Sequence, residues 1–166
     1  YETTRGCGWQ GHAYYTWTTT NPAQSNNWAE WRLTVPAAGL YEIEVYAPYC
    51  DTNNSETNGA VYTINNGSTT ETAVVSHQEN VGLWMTLGSY ELAAGNNTLR
   101  LTNLTSTDSG VGIWFDDVRF KPITIGTVAI TQTTPADNSW LSQRTADFSW
   151  TIENPTLVKS LTLDIA

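Results

Sequence analysis

Leu40-Tyr41-Glu42-Ile43-Glu44-Val45-Tyr46-Ala47-Pro48-Tyr49-Cys50 alternates at period two, with Tyr41, Ile43, Val45 and Ala47 on one parity and Glu42, Glu44 and Tyr46 on the other. That pattern marks a strand with one buried and one wet face. Ala37-Ala38-Gly39 turns the chain into the strand, and Pro48, which has no N–H to give, ends it. Cys50 closes the stretch, and its only partner within the chain is Cys7. A core strand ending in a covalent staple predicts a small secreted β domain.

The rest of the chain agrees with an all-β class. Thr, Tyr, Trp and Val are plentiful, and no window of eleven residues carries an i, i+3, i+4, i+7 apolar stripe. Ala13–Thr18, Trp28–Val35, Ala60–Ile64, Thr70–Ser76, Trp84–Leu92, Asn97–Leu104 and Gly112–Phe120 read as further strands, while Tyr1–Gly11 reads as irregular. Asn65-Asn66-Gly67 between two β-rich runs signals a hairpin. About eight short strands with regular turns predict a sandwich of jelly-roll type over residues 1–122. Beyond Lys121-Pro122, three more strands are expected at Gly126–Gln132, Thr145–Ile152 and Lys159–Ile165. Three strands cannot close a sandwich of seven, so residues 123–166 read as an incomplete β unit. A start at Tyr1 rather than Met reads as a processed or excised segment.

Charge narrows the partners. Seven Lys and Arg stand against 16 Asp and Glu, a net of −9, which repels phosphates and disfavours nucleic acid and anionic lipid. No run of eighteen apolar residues suits membrane insertion. Cys7 and Cys50 fit one disulfide better than a metal site, which wants four ligands in close pairs. The alternative is two buried free thiols of a cytosolic protein. The flanking turn residues Gly6, Gly8 and Pro48 favour the bridge, and a bridge places the chain outside the cytoplasm.

Catalysis finds little material. There is no Gly-x-Ser-x-Gly elbow, and His12 and His77 are the only histidines. Glu42 and Glu44 share a face, as a glycosidase pair would, but i, i+2 acids on an open sheet are ordinarily a solvated face. Sugar binding has more, because aromatic rings stack on the apolar C–H faces of sugars. Parity assigns Trp17, Trp31, Tyr41, Trp114 and Phe120 to the core. Trp9, Tyr14, Trp28, Tyr46, Tyr49 and Trp84 remain for the surface, unless the Tyr1–Gly11 segment covers them. Trp9, Trp28, Tyr49 and Trp84 are the candidate ligand-binding rings, Trp9 and Tyr49 because the bridge joins their loops. Asp116 shares parity with Val118 and Phe120 and should point inward, where a carboxylate needs partners: backbone amides, Arg5 or Arg32. A weaker alternative is structural calcium held by Glu2, Asp116 or Asp117, for which no loop signature exists. Otherwise no cofactor is expected.

The order Asn27-Trp28-Ala29-Glu30-Trp31, Pro36-Ala37-Ala38-Gly39-Leu40-Tyr41-Glu42, Val45-Tyr46-Ala47-Pro48, Ala60-Val61-Tyr62-Thr63-Ile64, Trp84-Met85-Thr86-Leu87-Gly88-Ser89-Tyr90 and Phe115-Asp116-Asp117-Val118-Arg119-Phe120 resembles the golvesin C-terminal domain. That domain is similar to the carbohydrate-binding-like module of xanthan lyases. The resemblance spans Cys7–Pro122 and implies a jelly-roll sandwich appended to secreted or surface proteins of bacteria. The Cys pair departs from many relatives. Thr134-Pro135-Ala136-Asp137 and Phe148-Ser149-Trp150 resemble the opening of a bacterial immunoglobulin-like or fibronectin-type repeat. Two functions are therefore expected. One is a non-catalytic module tethering its protein to a neutral or weakly charged polysaccharide. The other is a structural module of an extracellular filament, joining copies of itself by strand exchange or aromatic contacts.

Overall fold

The alternating stretch is strand β4, Gly39–Ala47, in a computed structural model that describes residues 2–5, 7–50, 55–124, 130–134 and 149–152. Tyr41, Ile43, Val45 and Ala47 are buried as their parity requires, and β4 is the middle of a sheet ordered β10-β4-β7, with β7 at Leu83–Leu92 and β10 at Val118–Pro122. A second sheet is ordered β3-β8-β5-β6, comprising Trp28–Val35, Gly95–Thr102, Ala60–Asn65 and Thr70–Val75. Leu33, Val35, Tyr62, Ile64, Leu99 and Leu101 from that sheet meet the β4 residues in one continuous core. Residues 1–123 form an all-β sandwich. Each such side chain contributes about 1.5–3 kcal/mol on leaving water, so the core outweighs any single surface contact.

The hairpin between β5 and β6 forms where Asn65-Asn66-Gly67 predicts it, with Asn65 opposite Thr70. Gly67 takes φ 89°, while the Asn66 carboxamide oxygen accepts from the N–H groups of Ser68 and Thr69.

Three expectations are corrected. The segment before Gly11 is not wholly irregular, because Glu2–Arg5 forms β1 and pairs antiparallel with β2, His12–Trp17. Gly112–Phe120 is not one strand. It divides into β9, Gly112–Phe115, paired with β2, and β10, paired with β4. Ile113 and Phe115 face the core, as do Val118 and Phe120, so the inward parity changes across Asp116-Asp117. Asp116 causes the break: Oδ1 accepts from the Asp117 N–H at 2.8 Å, an alternative to ladder pairing, and Asp116 is half-buried at the junction. Trp17 is not core. It is 43% exposed at the end of β2, against the edge of Tyr15, while Tyr15 lies 5.0 Å from Trp114. Trp114 itself is buried as expected, though on the face of β9 away from the main core.

A polar network closes the loops behind β9. His77 is fully buried. Its Nδ1 accepts from the Trp114 N–H at 3.4 Å, which assigns the proton to Nε2, and Nε2 then donates to the Tyr62 hydroxyl at 3.2 Å. The His77 N–H donates to the Thr57 carbonyl, and Thr57 Oγ1 donates to Asp108 at 2.8 Å. Burial holds the His77 pKa down to about 4, opposed by the Asp108 carboxylate.

Tyr1–Ile123 and Thr124–Ala166 are separate units by their internal contacts. In the second, β11 at Ile130–Thr134 pairs antiparallel with β12 at Ser149–Ile152. The strand expected at 159–165 lies outside the described residues.

Candidate functional site

The disulfide between Cys7 and Cys50 forms, with Cα atoms 5.1 Å apart, and it ties the start of the Trp9 loop to the end of β4. Between Cys7 and Trp9 the chain turns at Gly8, whose φ is 87°. A Cβ there would collide with the His12 carbonyl, so no other residue fits without moving β2. The Trp9 N–H then donates to Asp116 Oδ2 at 3.0 Å. Covalent bond, glycine turn and carboxylate together aim the indole at the outer face of the β10-β4-β7 sheet.

Two rings await it there. Tyr46 of β4 and Trp84 of β7 are register partners with centroids 5.4 Å apart. Trp9 meets both edge-on, at 5.4 Å from Tyr46 and 5.1 Å from Trp84. These separations and tilts are the favoured geometry for aromatic pairs. Arg119 of β10 lays its guanidinium 4.1 Å from the Trp84 centroid. A bulge sets the face of Trp84. Ile43 opposes Gly88 while Glu44 opposes Thr86, so Leu87 is an extra residue. Trp84 therefore points outward although Tyr90, of the same parity, is buried.

The four candidate rings separate into a group and an outlier. Trp9 is 42% exposed, and Tyr49, beside the disulfide and against Gly82, is 66% exposed. Trp84 is half-buried under Trp9 and Arg119, so covering by the N-terminal segment accounts for part of its area. Trp28 lies elsewhere, on the outer face of β3 in the other sheet, with the Arg100 guanidinium 4.3 Å from its centroid. Tyr46 and Arg119 are additions to the site. The parity of β4 marks Tyr46 as outward, but no local pattern marks Arg119.

The golvesin C-terminal domain profile matches residues 2–122, which include every residue of this cluster. The chain belongs to the golvesin C-terminal domain family. No curated protein and no solved structure matches it.

In this golvesin domain the acids near the cluster are already engaged. Glu44 accepts from Arg119 Nε at 2.6 Å and lies 2.7 Å from Lys121 Nζ. Hydrogen bonds from Arg119 and then Lys121 pull its pKa down to about 2. A carboxyl so held stays ionised and does not serve as a general acid. Asp116 finds the backbone amides of Trp9 and Asp117 as its partners rather than Arg32, which is exposed. Burial pushes its pKa up, and those two N–H bonds partly restore it. Asp116 and Asp117 also line a cleft of about 270 Å³ with His12, Tyr14, Trp31 and Phe115. For the calcium alternative, no group of three His, Cys, Asp or Glu gathers among the described residues, and the Glu2 and Arg5 side chains lie outside them.

Proposed function

We propose that this golvesin domain is a non-catalytic, extracellular carbohydrate-binding-like module that holds the protein carrying it on polysaccharide. The observation that carries the reading is the disulfide-braced ring cluster of Trp9, Tyr46 and Trp84 on the outside of a sheet, with exposed Tyr49 next to the bridging Cys50. Braced rings at a surface suit ligands with flat C–H faces, and exposed aromatic patches on folded chains tend to be interfaces. Family membership supports the carbohydrate-binding-like class. The disulfide supports an oxidising compartment. Among the described residues no helix is long and apolar enough to cross a membrane.

In this reading Trp9 and Tyr49 touch sugar, while Trp84 and Tyr46 form the base beneath. Stacking needs little charge, so affinity for a neutral polysaccharide changes weakly with salt, at roughly micromolar to millimolar dissociation constants. The test is titration with soluble neutral β-glucans and mannans, following indole emission, for the wild type, Trp9→Ala and Tyr49→Ala. Binding that either variant abolishes supports the site. If no glycan shifts the emission and sedimentation shows elongating polymers, the filament reading replaces this one.

A further inference from the structure

The outer face of the β3-β8-β5-β6 sheet differs from the rest of this acidic chain. Trp28, Glu30 and Arg32 of β3 lie opposite Thr102, Arg100 and Thr98 of β8, and Thr63 of β5 is the partner of Arg100 on its other side. Two cations thus face one carboxylate, in a chain whose net charge is −9. Neither Arg32 nor Arg100 makes an ion pair among the described residues, although Glu30 is the register partner of Arg100. Arg100 instead rests on the Trp28 ring, 4.3 Å from its centroid. Stacking uses the flat face of a guanidinium and leaves its N–H edge in plane for a carboxylate.

Beside this pair runs an open groove of about 430 Å³. Pro22, Val61 and Leu104 make it apolar, and Thr20, Thr63 and Thr102 line it with hydroxyls. Thr102 is the register partner of Trp28 and Thr63 that of Arg100, so two groove-lining threonines stand opposite the ring and the guanidinium on the same sheet face. Trp28 is 48% exposed.

We infer that this surface is a second glycan site, separate from the Trp9 cluster, and that it takes an acidic polysaccharide with a uronate carboxylate on Arg100. The sugar packs on the part of Trp28 that Arg100 leaves exposed, the carboxylate meets the guanidinium edge, and neighbouring residues of the glycan lie along the threonine-lined groove. Charge complementarity selects the acid: a neutral glycan leaves Arg100 without a counter-charge. The overall negative charge does not prevent this, because at physiological ionic strength charges more than about 8 Å away are largely screened. With the Trp9 cluster on the other sheet, one molecule then contacts two glycan chains. The inference shares the carbohydrate-binding reading but not its residues.

The full chain is titrated calorimetrically with hexagalacturonate and with its carboxyl-reduced, neutral counterpart. Arg100→Gln is expected to weaken the acidic hexamer about tenfold and to leave the neutral one within about twofold, since a bidentate charged contact is lost. Arg100→Lys, which keeps charge but not the fork, weakens it about threefold. Trp28→Ala weakens it as Arg100→Gln does, whereas Trp9→Ala leaves it unchanged. Unaltered thermal midpoints of the variants exclude misfolding as the cause. The inference is overturned if the acidic hexamer binds no tighter than the neutral one, or if Arg100→Gln binds it as wild type does. It is also overturned if these substitutions dissociate a dimer that no sugar competes with, which assigns the face to a second copy. Neutral glycan binding lost in Trp9→Ala, with no uronate binding, sinks this inference and leaves the tether reading standing. The converse result sinks the Trp9 site and leaves this one.

Discussion

The backbone N–H of Trp9 donates to Asp116 Oδ2 at 3.0 Å across 107 positions of sequence. One carboxylate thus performs two tasks: it aims the outermost ring of the aromatic cluster, and it breaks the chain between β9 and β10 through the Asp117 N–H. Asp116→Ala leaves both N–H groups without their acceptor. The expected cost is about 1–3 kcal/mol. Amide exchange of Trp9 and Asp117 should accelerate beyond that of the core strands. Unchanged exchange at Trp9 would show that the disulfide alone positions the ring.

The disulfide makes a second prediction. Closing a loop across 43 positions restricts the unfolded chain, and losing such a bridge from a small secreted domain costs about 2–5 kcal/mol. Cys50→Ser should therefore lower the denaturation midpoint and also release the Trp9 loop from the end of β4. Neutral-glycan affinity should fall together with stability. Two titratable thiols in the unreduced wild-type protein would contradict the bridge outright.

Much of this was readable from local pattern, and the exceptions have physical causes. Period-two alternation placed Tyr41, Ile43, Val45 and Ala47 inside and Tyr46 outside, because β4 is a central strand without irregularity in its own chain. Parity failed wherever the backbone inserts or turns. The extra Leu87 puts Trp84 and Tyr90 on opposite faces, and the Asp116-Asp117 junction does the same to Trp114 and Phe120. Trp17 differs from its expected place because it shares with Tyr15 and Trp114 the face of the β2–β9 pair that points away from the main core, and it lies at the open end of β2. Among the candidate rings, the bridge between the loops that carry Trp9 and Tyr49 followed from the cysteines. Contact of Trp9 with Trp84 did not, since it depends on the β4–β7 register. Arg119 and Arg100 stack on rings from adjacent or next-adjacent strands, a relation invisible before the pairing is known.

His77 predicts how stability responds to acid. In an unfolded chain the imidazole titrates near 6.5, and in the fold burial holds it to about 4. Above pH 6.5 both states keep it neutral, and its contribution is fully present. Between 6.5 and 4 the unfolded chain takes up a proton that the fold refuses, so stability drops, by about 3 kcal/mol in all. Glu44, lowered from 4.5 to about 2, adds a further loss in the more acid range. Its cation partners Arg119 and Lys121 are about half exposed, and screening limits this share to about 1 kcal/mol. Gln at position 77 can accept from Trp114 and donate to Tyr62 without titrating. His77→Gln should therefore flatten urea-denaturation midpoints between about pH 6.5 and 4.5. Equal pH slopes in both proteins would refute the assignment.

Residues 1–123 should fold as a separate polypeptide. The whole core cluster lies within them, from Ala29 to Phe120, and so do the disulfide and every strand of the three sheets β1-β2-β9, β10-β4-β7 and β3-β8-β5-β6. Its thermal midpoint should fall within about 5 °C of the corresponding transition in the full chain, since a difference of 1 kcal/mol moves a domain of this size by only a few degrees. A shorter piece beginning at Cys7 keeps the disulfide but loses β1, which pairs Glu2 with Tyr15 through to Arg5 with His12. That deletion strips β2 of one ladder and bares its edge, a template for association between chains. The shorter piece should melt about 5–10 °C lower, for a loss of roughly 1–2 kcal/mol, and should aggregate more readily on heating. Calorimetry of the two pieces separates these outcomes. Equal midpoints for both would show that β1 adds nothing to the sandwich, and a broad, uncooperative transition in 1–123 would show that the remaining residues are needed to complete it.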